Sequence, residues 1–247
     1  MRALVVSDLH SNAEALRSVF KRVHRKKYDT VICLGDFVGY GANPNQVLDT
    51  MRTLRERKVF IRGNHDRVAA GLDDAVGFNQ AAKVSALWTR DRLSPANRRF
   101  LRDLTVGPLV HRETLLCHGS PYDEDEYVFN VHHAGQVLAL YTSTPVILFG
   151  HTHLPAVFSI DPDMNVRGFA VREDATVRLE PGLRYLINPG SVGQPRDRNP
   201  DASCVIIDTD KRSVQFFRVE YDVPKTQATI LKAGLPEILA TRLRYGT

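Results

Sequence analysis

Cysteine is scarce in this chain: 247 residues include only Cys33, Cys117 and Cys204. Their odd number and the absence of paired spacing exclude the disulfide framework that holds many small secreted domains together. Each cysteine stands in an apolar run, so we expect three buried thiols. This cysteine usage favours a reducing compartment, and we predict a cytoplasmic location.

Long apolar runs are also missing. No segment approaches the roughly 20 apolar residues that a membrane-spanning helix needs, and the N-terminal MRALVVSDLH leads into charged residues instead of forming a signal peptide. We therefore expect no membrane partner. The formal charge of +5 is modest, and the basic residues are scattered apart from small clusters at 21–27 and 196–198. This pattern favours small anionic molecules, and we do not expect nucleic acid as a partner.

The order of the predicted elements indicates an α/β fold. The first half alternates strands such as ALVVSD and TVICLGD with amphipathic helices, which predicts a parallel sheet with right-handed crossovers. After PVILFGHTH the pattern changes to six short strands separated by turn residues, which predicts a second, largely antiparallel sheet packed on the first. We expect one domain over residues 1–247, with a helical extension from about residue 225.

Polar residues follow five of the predicted strands directly. They are Asp8 and His10, Asp36, Asn64 with His65 and Asp66, His118, and His151 with His153. Because ligands gather at the carboxyl ends of parallel strands, we expect these side chains to meet at one edge of the sheet. His151 and His153 are two residues apart, so in extended backbone they would face one point in space.

These motifs favour a metal site when they are taken together. Alone, Asp8 is typical of a turn or a helix cap, Gly35-Asp36 of a turn, and His118 of an ordinary strand end. Oxygen and nitrogen donors without a thiolate suit Mn, Fe, Zn, Ni or Co. Seven ligands exceed what one tetrahedral ion needs, and they fit two divalent or trivalent transition-metal ions that share a bridging carboxylate, as in phosphoryl transfer. The predicted ligands are Asp8, His10, Asp36, Asn64, His118, His151 and His153.

The motif set resembles the calcineurin-like metallophosphoesterase superfamily. That family carries D-x-H, G-D, G-N-H-D/E, H and G-H-x-H in this order, and the chain has all five motifs between residue 8 and residue 153. The resemblance extends to about residue 220. It implies a four-layer α/β/β/α sandwich of two mixed β-sheets flanked by helices.

The resemblance also implies a role for each motif residue. One ion would be held by Asp8, His10, Asp36 and His153, and the other by Asp36, Asn64, His118 and His151. Asp36 would bridge the ions, a metal-bridging hydroxide would attack phosphorus, and His65 would give a proton to the leaving group.

One departure from the family pattern concerns substrate choice. Protein phosphatases of this superfamily read G-D-x-x-D-R-G, where the second Asp orients the catalytic His and the Arg grips phosphate. This chain has Gly39 and Tyr40 at those positions, which argues against a protein phosphatase and leaves the partner of His65 unassigned. The stretches GDFVGYGANP and NPGSVGQPRDRNP are similar to bacterial and archaeal phosphoesterases of the diadenosine-tetraphosphatase-like branch.

The loop over residues 188–199 is a candidate substrate contact. It follows a predicted strand, so Arg196 or Arg198 could reach a phosphate oxygen over the metals. The alternative is a solvated turn that holds the second sheet. Tyr40 could offer its ring to a nucleobase, or it could simply pack against the fold.

The predicted function is hydrolysis of a small phosphorylated molecule by a metal-dependent phosphoric ester hydrolase. We expect phosphodiesters or phosphoanhydrides as substrates, with dinucleoside polyphosphates as one candidate. A phosphomonoesterase and a nuclease remain alternatives, as does a non-catalytic metal-binding scaffold of the same fold. The sequence does not indicate an oligomeric state.

Overall fold

The computed structural model describes residues 1–247 and contains two mixed six-stranded β-sheets. The first has the strand order β3-β2-β1-β11-β12-β9 and the second the order β4-β5-β6-β10-β7-β8. The first sheet consists of β1 (Arg2–Val6), β2 (Thr30–Cys33), β3 (Arg57–Phe60), β9 (Ala175–Arg178), β11 (Ala202–Asp208) and β12 (Ser213–Val219). The second consists of β4 (Leu109–His111), β5 (Thr114–Leu116), β6 (Val146–Leu148), β7 (Ala156–Ile160), β8 (Val166–Ala170) and β10 (Arg184–Asn188).

Eight α-helices accompany the sheets. They are α1 (Ala13–Val23), α2 (Pro44–Arg52), α3 (Asn64–Ala69), α4 (Gln80–Arg92), α5 (Pro95–Arg102), α6 (Val131–Leu140), α7 (Val223–Lys232) and α8 (Glu237–Thr241). The Asn12 side chain caps α1 by accepting from the Ala15 amide at 3.0 Å, and Pro44 stands in the first turn of α2. None of the helices is both long and apolar enough to cross a membrane.

Three apolar layers separate the four structural layers. Alternate residues of β1 point to opposite faces, so Leu4 packs towards α1 while Val5 packs between the sheets. On the second sheet Leu148 joins that middle layer, and Ile147 packs outward against α6. The predicted α/β/β/α sandwich is confirmed.

The strands of the second half do not form a sheet of their own, which corrects the prediction of a separate, largely antiparallel sheet. β11 pairs antiparallel with β1, and β12 and β9 follow it, so these strands complete the first sheet. The second sheet contains the parallel trio β5, β6 and β10. Local patterning indicates a strand but does not indicate its partner, because pairing depends on contacts distant in sequence.

Candidate metal centre

The predicted site residues meet where the carboxyl ends of strands from the two sheets approach each other. Sheet one supplies the residues after β1, β2 and β3, and sheet two supplies those after β5 and β6. The prediction that all five strands share one edge of one sheet is therefore wrong, although the predicted residues do converge. Two sheets surround the site from two sides, and its predicted metal ligands are all buried.

The backbone conformation at the predicted metal ligands determines the direction of their side chains. Five of them have left-handed backbone, with φ between 43° and 63°: Asp8, His10, Asp36, His151 and His153. Such angles are uncommon outside glycine and concentrate at functional sites. The expectation that His151 and His153 face one point from extended backbone is wrong, because both have left-handed backbone and each joins a different cluster.

The polar side chains form two clusters that adjoin at Asp36. Potential ligand atoms of Asp8, His10 and His153 lie within 4.8 Å of one another, and so do those of Asp36, His118 and His151. A third group of the same span, His10, Asp36 and His65, overlaps both clusters. Asp36 Oδ2 lies 3.6 Å from His10 Nε2 and 3.4 Å from His118 Nε2. This one carboxylate oxygen therefore stands between the two clusters.

Asn64 extends the second cluster. Its Oδ1 lies 3.2 Å from His118 Nε2, and Asn64 is the first residue of α3, so its position follows from the direction of that helix. The backbone amide of the next residue, His65, donates to Asp36 Oδ1 at 2.9 Å. The motif GNHD is therefore hydrogen-bonded through its backbone to the Asp36 carboxylate between the clusters.

In each of four histidines, one ring nitrogen is hydrogen-bonded to a backbone carbonyl, and the carbonyl is a different one each time. Because a carbonyl only accepts, the bonded nitrogen carries the proton and the other nitrogen faces the site. Histidines that bind metal are commonly oriented in this way. The pairs are His10 Nδ1 with Val38 O at 3.1 Å, His118 Nδ1 with Leu34 O at 2.8 Å, His151 Nε2 with Asp125 O at 3.1 Å, and His153 Nδ1 with Gln194 O at 2.6 Å.

The first cluster brings acceptors face to face. Nε2 of His10 and Nε2 of His153 are 3.1 Å apart, and the proton of each ring lies on Nδ1. Asp8 Oδ1 lies 3.3 Å from His153 Nε2 and is buried without a hydrogen-bond partner. Acceptors that converge in a buried space leave a cost of desolvation that a cation would offset. The chemistry of this donor set fits a metal ion.

Protonation of the site agrees with metal binding. Burial lowers the pKa of His10 and of His153, and it lowers the pKa of His151 to about 3, so these imidazoles are neutral as ligands must be. Burial opposes protonation of His118, but the nearby Asp36 raises its pKa to about 10. The proton on His118 stands beside Asp36 and Asn64, where a cation would take its place.

His65 differs from the four other histidines. Its Nδ1 is buried and has no hydrogen-bond partner, so no carbonyl prepares the ring as a ligand. Aromatic packing holds the ring instead, with Tyr40 at 4.4 Å and Phe78 at 4.6 Å between ring centroids. Gly39 permits this packing, because a Cβ there would lie 2.3 Å from His65 Nδ1.

A cavity of about 330 Å³ opens onto the clusters. Its walls include Asp36, Asn64, His65, Tyr40 and Arg196. Tyr40 is buried, and its hydroxyl accepts from Arg196 Nη2 at 3.2 Å. Arg198 does not line this cavity and lies along a neighbouring one that Arg196 also reaches.

Residues 1–212 match the family model of the calcineurin-like phosphoesterase superfamily domain. The chain belongs to this superfamily. An uncharacterized protein of Methanocaldococcus jannaschii is 36% identical over 250 residues, which cover 98% of this chain and 97% of that protein. The crystal structure of a metallophosphoesterase from Sphaerobacter thermophilus is 35% identical, with a TM-score of 0.87 over 100% of both chains. A hypothetical protein from Pyrococcus horikoshii is 21% identical, covers 100% of this chain and 98% of its own, and with a TM-score of 0.82 shows the fold alone.

The cavity wall of this superfamily member also includes residues that the sequence did not single out, among them Arg67, Phe78 and Tyr127. Phe78 packs on His65, and Tyr127 stacks on His151 at 3.9 Å between centroids. Arg67, directly after GNHD, pairs with Asp73, Glu124 and Asp125, so its charge is neutralised. Only the position of Arg67 beside the motif offered a signal, because Phe78 and Tyr127 lie in loops without a recognisable pattern.

Proposed function

We propose that this chain is a phosphoric ester hydrolase that uses two transition-metal ions to cleave small phosphodiesters or phosphoanhydrides. The observation that carries the proposal is the pair of buried clusters that adjoin at Asp36, where a backbone carbonyl holds one ring nitrogen of each of four histidines and the other ring nitrogen faces a cluster. An accessible cavity beside both clusters gives a small substrate room to approach.

The two clusters correspond to two ion positions. Asp8, His10, Asp36 and His153 would hold one ion, and Asp36, Asn64, His118 and His151 would hold the other. Mn, Fe, Zn, Ni and Co all suit this nitrogen and oxygen set. When bound, such a pair supplies an activated water and neutralises charge on the phosphoryl oxygens.

The chain's own residues would divide the remaining work. Asp36 would hold the two ions together through one carboxylate. His65 lines the cavity without a carbonyl partner, and we assign to it the donation of a proton to the leaving oxygen. Burial lowers the pKa of its ring to about 4, so the negative charge of a bound phosphoester has to raise this pKa before the ring can act as the acid. Asn64, the first residue of α3, directs its Oδ1 to His118 Nε2 at 3.2 Å, and His65 follows it in the helix.

Arg196 is the free cation of the cavity. It forms no salt bridge, and its side chain donates to Tyr40 Oη and to Gln194 Oε1, at 3.2 Å and 3.0 Å. Arg67, in contrast, is tied to three carboxylates. We therefore assign the phosphate contact to Arg196, while Tyr40 positions it and Arg198 would act only on a larger substrate.

A preference for diesters or anhydrides rests on charge. Tyr40 replaces the Arg that grips phosphate in protein phosphatases, so the chain lacks that fixed cation for a dianionic monoester. A diester carries less negative charge at phosphorus, and two ions can neutralise more of it. Arg196 favours the alternative, a phosphomonoesterase, because its guanidinium group supplies a cation in place of the missing Arg.

A panel of substrates and metals tests the proposal. Protein freed of metal is reconstituted with Mn, Fe, Zn, Ni, Co or Mg and assayed on bis-p-nitrophenyl phosphate, p-nitrophenyl phosphate and a dinucleoside polyphosphate. We expect a kcat/KM for the diester or dinucleotide above that for the monoester with the same metal. Asp36→Asn should abolish activity with every metal, whereas the exposed Asp91→Asn on α4 serves as the matched control.

Other results of the panel would select the alternatives. A higher kcat/KM for the monoester would identify a phosphomonoesterase. Two bound ions without hydrolysis of any substrate would identify a metal-binding scaffold. A strongly salt-dependent gel shift with DNA or RNA would point to a nuclease.

We further propose that residues 1–247 form one metallophosphoesterase domain in the cytoplasm. The C-terminal helices support the single domain, since Ile230, Leu239 and Leu243 share an apolar cluster with Tyr40 and Ala82. Tyr40 in turn packs on His65, so the C-terminal helices support a wall of the cavity.

A further inference from the structure

A second cavity of about 680 Å³ adjoins the site cavity, and Arg196 lines both. Its walls combine aromatic and basic side chains: Phe129, Phe158, Phe169, Arg172 and Arg198. Phe129 and Phe169 are each 53% exposed. Large apolar rings that are half exposed beside a polar site are a common mark of a binding groove.

A column of stacked aromatic rings leads from the second cluster of potential metal ligands to this cavity. Tyr127 lies on His151 with 3.9 Å between ring centroids and an interplanar angle of 25°. Phe129 lies on Tyr127 at 5.0 Å and 5°. The order of the stack therefore leads from the second cluster outward to a ring that borders the second cavity.

The charge of the second cavity is positive. Arg172, Arg196 and Arg198 line it, and none of them forms a salt bridge. The single acidic residue of its wall, Asp197, is paired with Arg218 at 3.0 Å. The free guanidinium groups can donate hydrogen bonds to phosphate oxygens, and a base can stack on the flat rings.

We propose that the second cavity binds the nucleotide portion of the substrate, with a purine base against Phe129 and Phe169 and its phosphate at Arg196 and Arg198. The proposal rests on the proposed function, because the metals must receive the adjoining phosphoryl group. The substrate class is then a nucleotide joined through a phosphoanhydride or phosphodiester bond. Hydrolysis breaks that P–O bond, a water oxygen bonds to phosphorus, and the leaving oxygen takes a proton.

Competition between two inhibitors tests for the base-binding subsite. AMP and ribose 5-phosphate share a phosphate and a ribose, and only AMP carries a base. Each is titrated against hydrolysis of bis-p-nitrophenyl phosphate by the metal-reconstituted protein. We expect AMP to inhibit at a concentration about 5- to 150-fold lower than ribose 5-phosphate, as stacking of a base on aromatic side chains provides.

Single substitutions separate the two contacts. Phe129→Ala and Phe169→Ala should each reduce the advantage of AMP, while Arg198→Ala should weaken both inhibitors by a similar factor. The matched controls are Tyr122→Ala, an exposed ring on the same loop, and Arg178→Ala on β9, neither of which lines the two cavities. Neither control should change the ratio of the two inhibitors.

The outcomes distinguish the subsite from the activity. Equal inhibition by AMP and ribose 5-phosphate in the unchanged protein would overturn the subsite while leaving the hydrolase in place. If no phosphoester is hydrolysed with any metal, calorimetric titration of AMP decides: binding that Phe129→Ala weakens supports the subsite, and no binding overturns it. A dimer that the same substitutions dissociate, with AMP unbound, would identify a second copy of the chain as the occupant.

Discussion

At the scale of single residues, the hydrogen-bond acceptor of each imidazole N–H distinguishes the proposed metal ligands from the proposed acid, His65. The sequence identified all five histidines, because they follow strands in a recognisable order. It could not identify their partners, since the carbonyls of Leu34, Val38, Asp125 and Gln194 come from loops distant in sequence. The lack of such a partner at His65 became visible only in the folded chain.

Replacing His65 should separate catalysis from metal binding. We expect His65→Ala to keep both ions and to lower kcat by about 10²–10⁴-fold for a substrate with a poor leaving group, because proton donation is lost. A nitrophenolate needs little protonation, so its hydrolysis should fall less. Metal analysis and parallel assays measure both effects, with the exposed His132→Ala as control. Loss of metal, or equal losses on both substrates, would contradict the assignment.

Gly39 should matter through its contact with His65. An added Cβ would lie 2.3 Å from His65 Nδ1, so Gly39→Ala must displace the ring. A shift of about 1 Å can cost up to about 10²-fold in rate. Gly182→Ala is the control, because its φ of +85° resembles the +92° of Gly39 while no atom lies within 4 Å of the added Cβ. Both variants should lose stability through the left-handed backbone, Gly39→Ala the more because of the clash, and only Gly39→Ala should lose kcat at full metal content.

At the scale of elements, the short helix α3 was not predicted. Six residues are too few to show a helical period, and an isolated helix of this length is unstable in water. Hydrogen bonds within the folded chain stabilise α3 in place of intrinsic helix propensity. The Asp66 side chain accepts from the Gly63 amide at 3.1 Å and from the Val38 amide at 3.2 Å. This carboxyl therefore joins the start of α3 to the turn that follows β2.

Asp66→Ala should destabilise the protein by about 1–3 kcal/mol, because two buried backbone amides lose their acceptor. Asp66→Asn should lose less, since one oxygen remains, although its amide group then faces an amide donor. Denaturant unfolding measures both changes. Equal stability of the two variants and the unchanged protein would show that water replaces the carboxyl without cost.

The C-terminal helices test the single-domain proposal. Leu239 is 1% exposed in the cluster that contains Tyr40, so Leu239→Ala should cost about 2–5 kcal/mol. The neighbouring Ile238 is 58% exposed, and Ile238→Ala should cost much less. In one domain the whole unfolding transition moves to lower denaturant. A separate early transition would instead mean that the C-terminal helices unfold on their own.

At the scale of the whole molecule, the proposed metal ligands come from both sheets. Alternating strands and helices, together with the motif order, were enough to predict the layered α/β architecture. The assignment of β9, β11 and β12 to the first sheet was not predictable, because nothing in a strand's own residues names its neighbour. The site depends on the division of β1 and β6 between the two sheets: Asp8 and His10 follow β1 of the first sheet, and His153 follows β6 of the second.

Removal of the metals should therefore loosen the sandwich as a whole. In the first cluster the imidazoles of His10 and His153 face each other at 3.1 Å, and without a cation their acceptors have no partner between them. At a free metal concentration 100 times Kd, one bound ion adds about 2.7 kcal/mol to the stability of the folded state. For a chain of this size that corresponds to a rise in Tm of about 5–10 °C. Thermal unfolding of chelated and reconstituted protein measures the difference, and Asp36→Asn should reduce it because both ions lose a ligand. A Tm that metal leaves unchanged would mean that the clusters do not bind ions in the folded chain, which would contradict the dinuclear centre independently of any assay of activity.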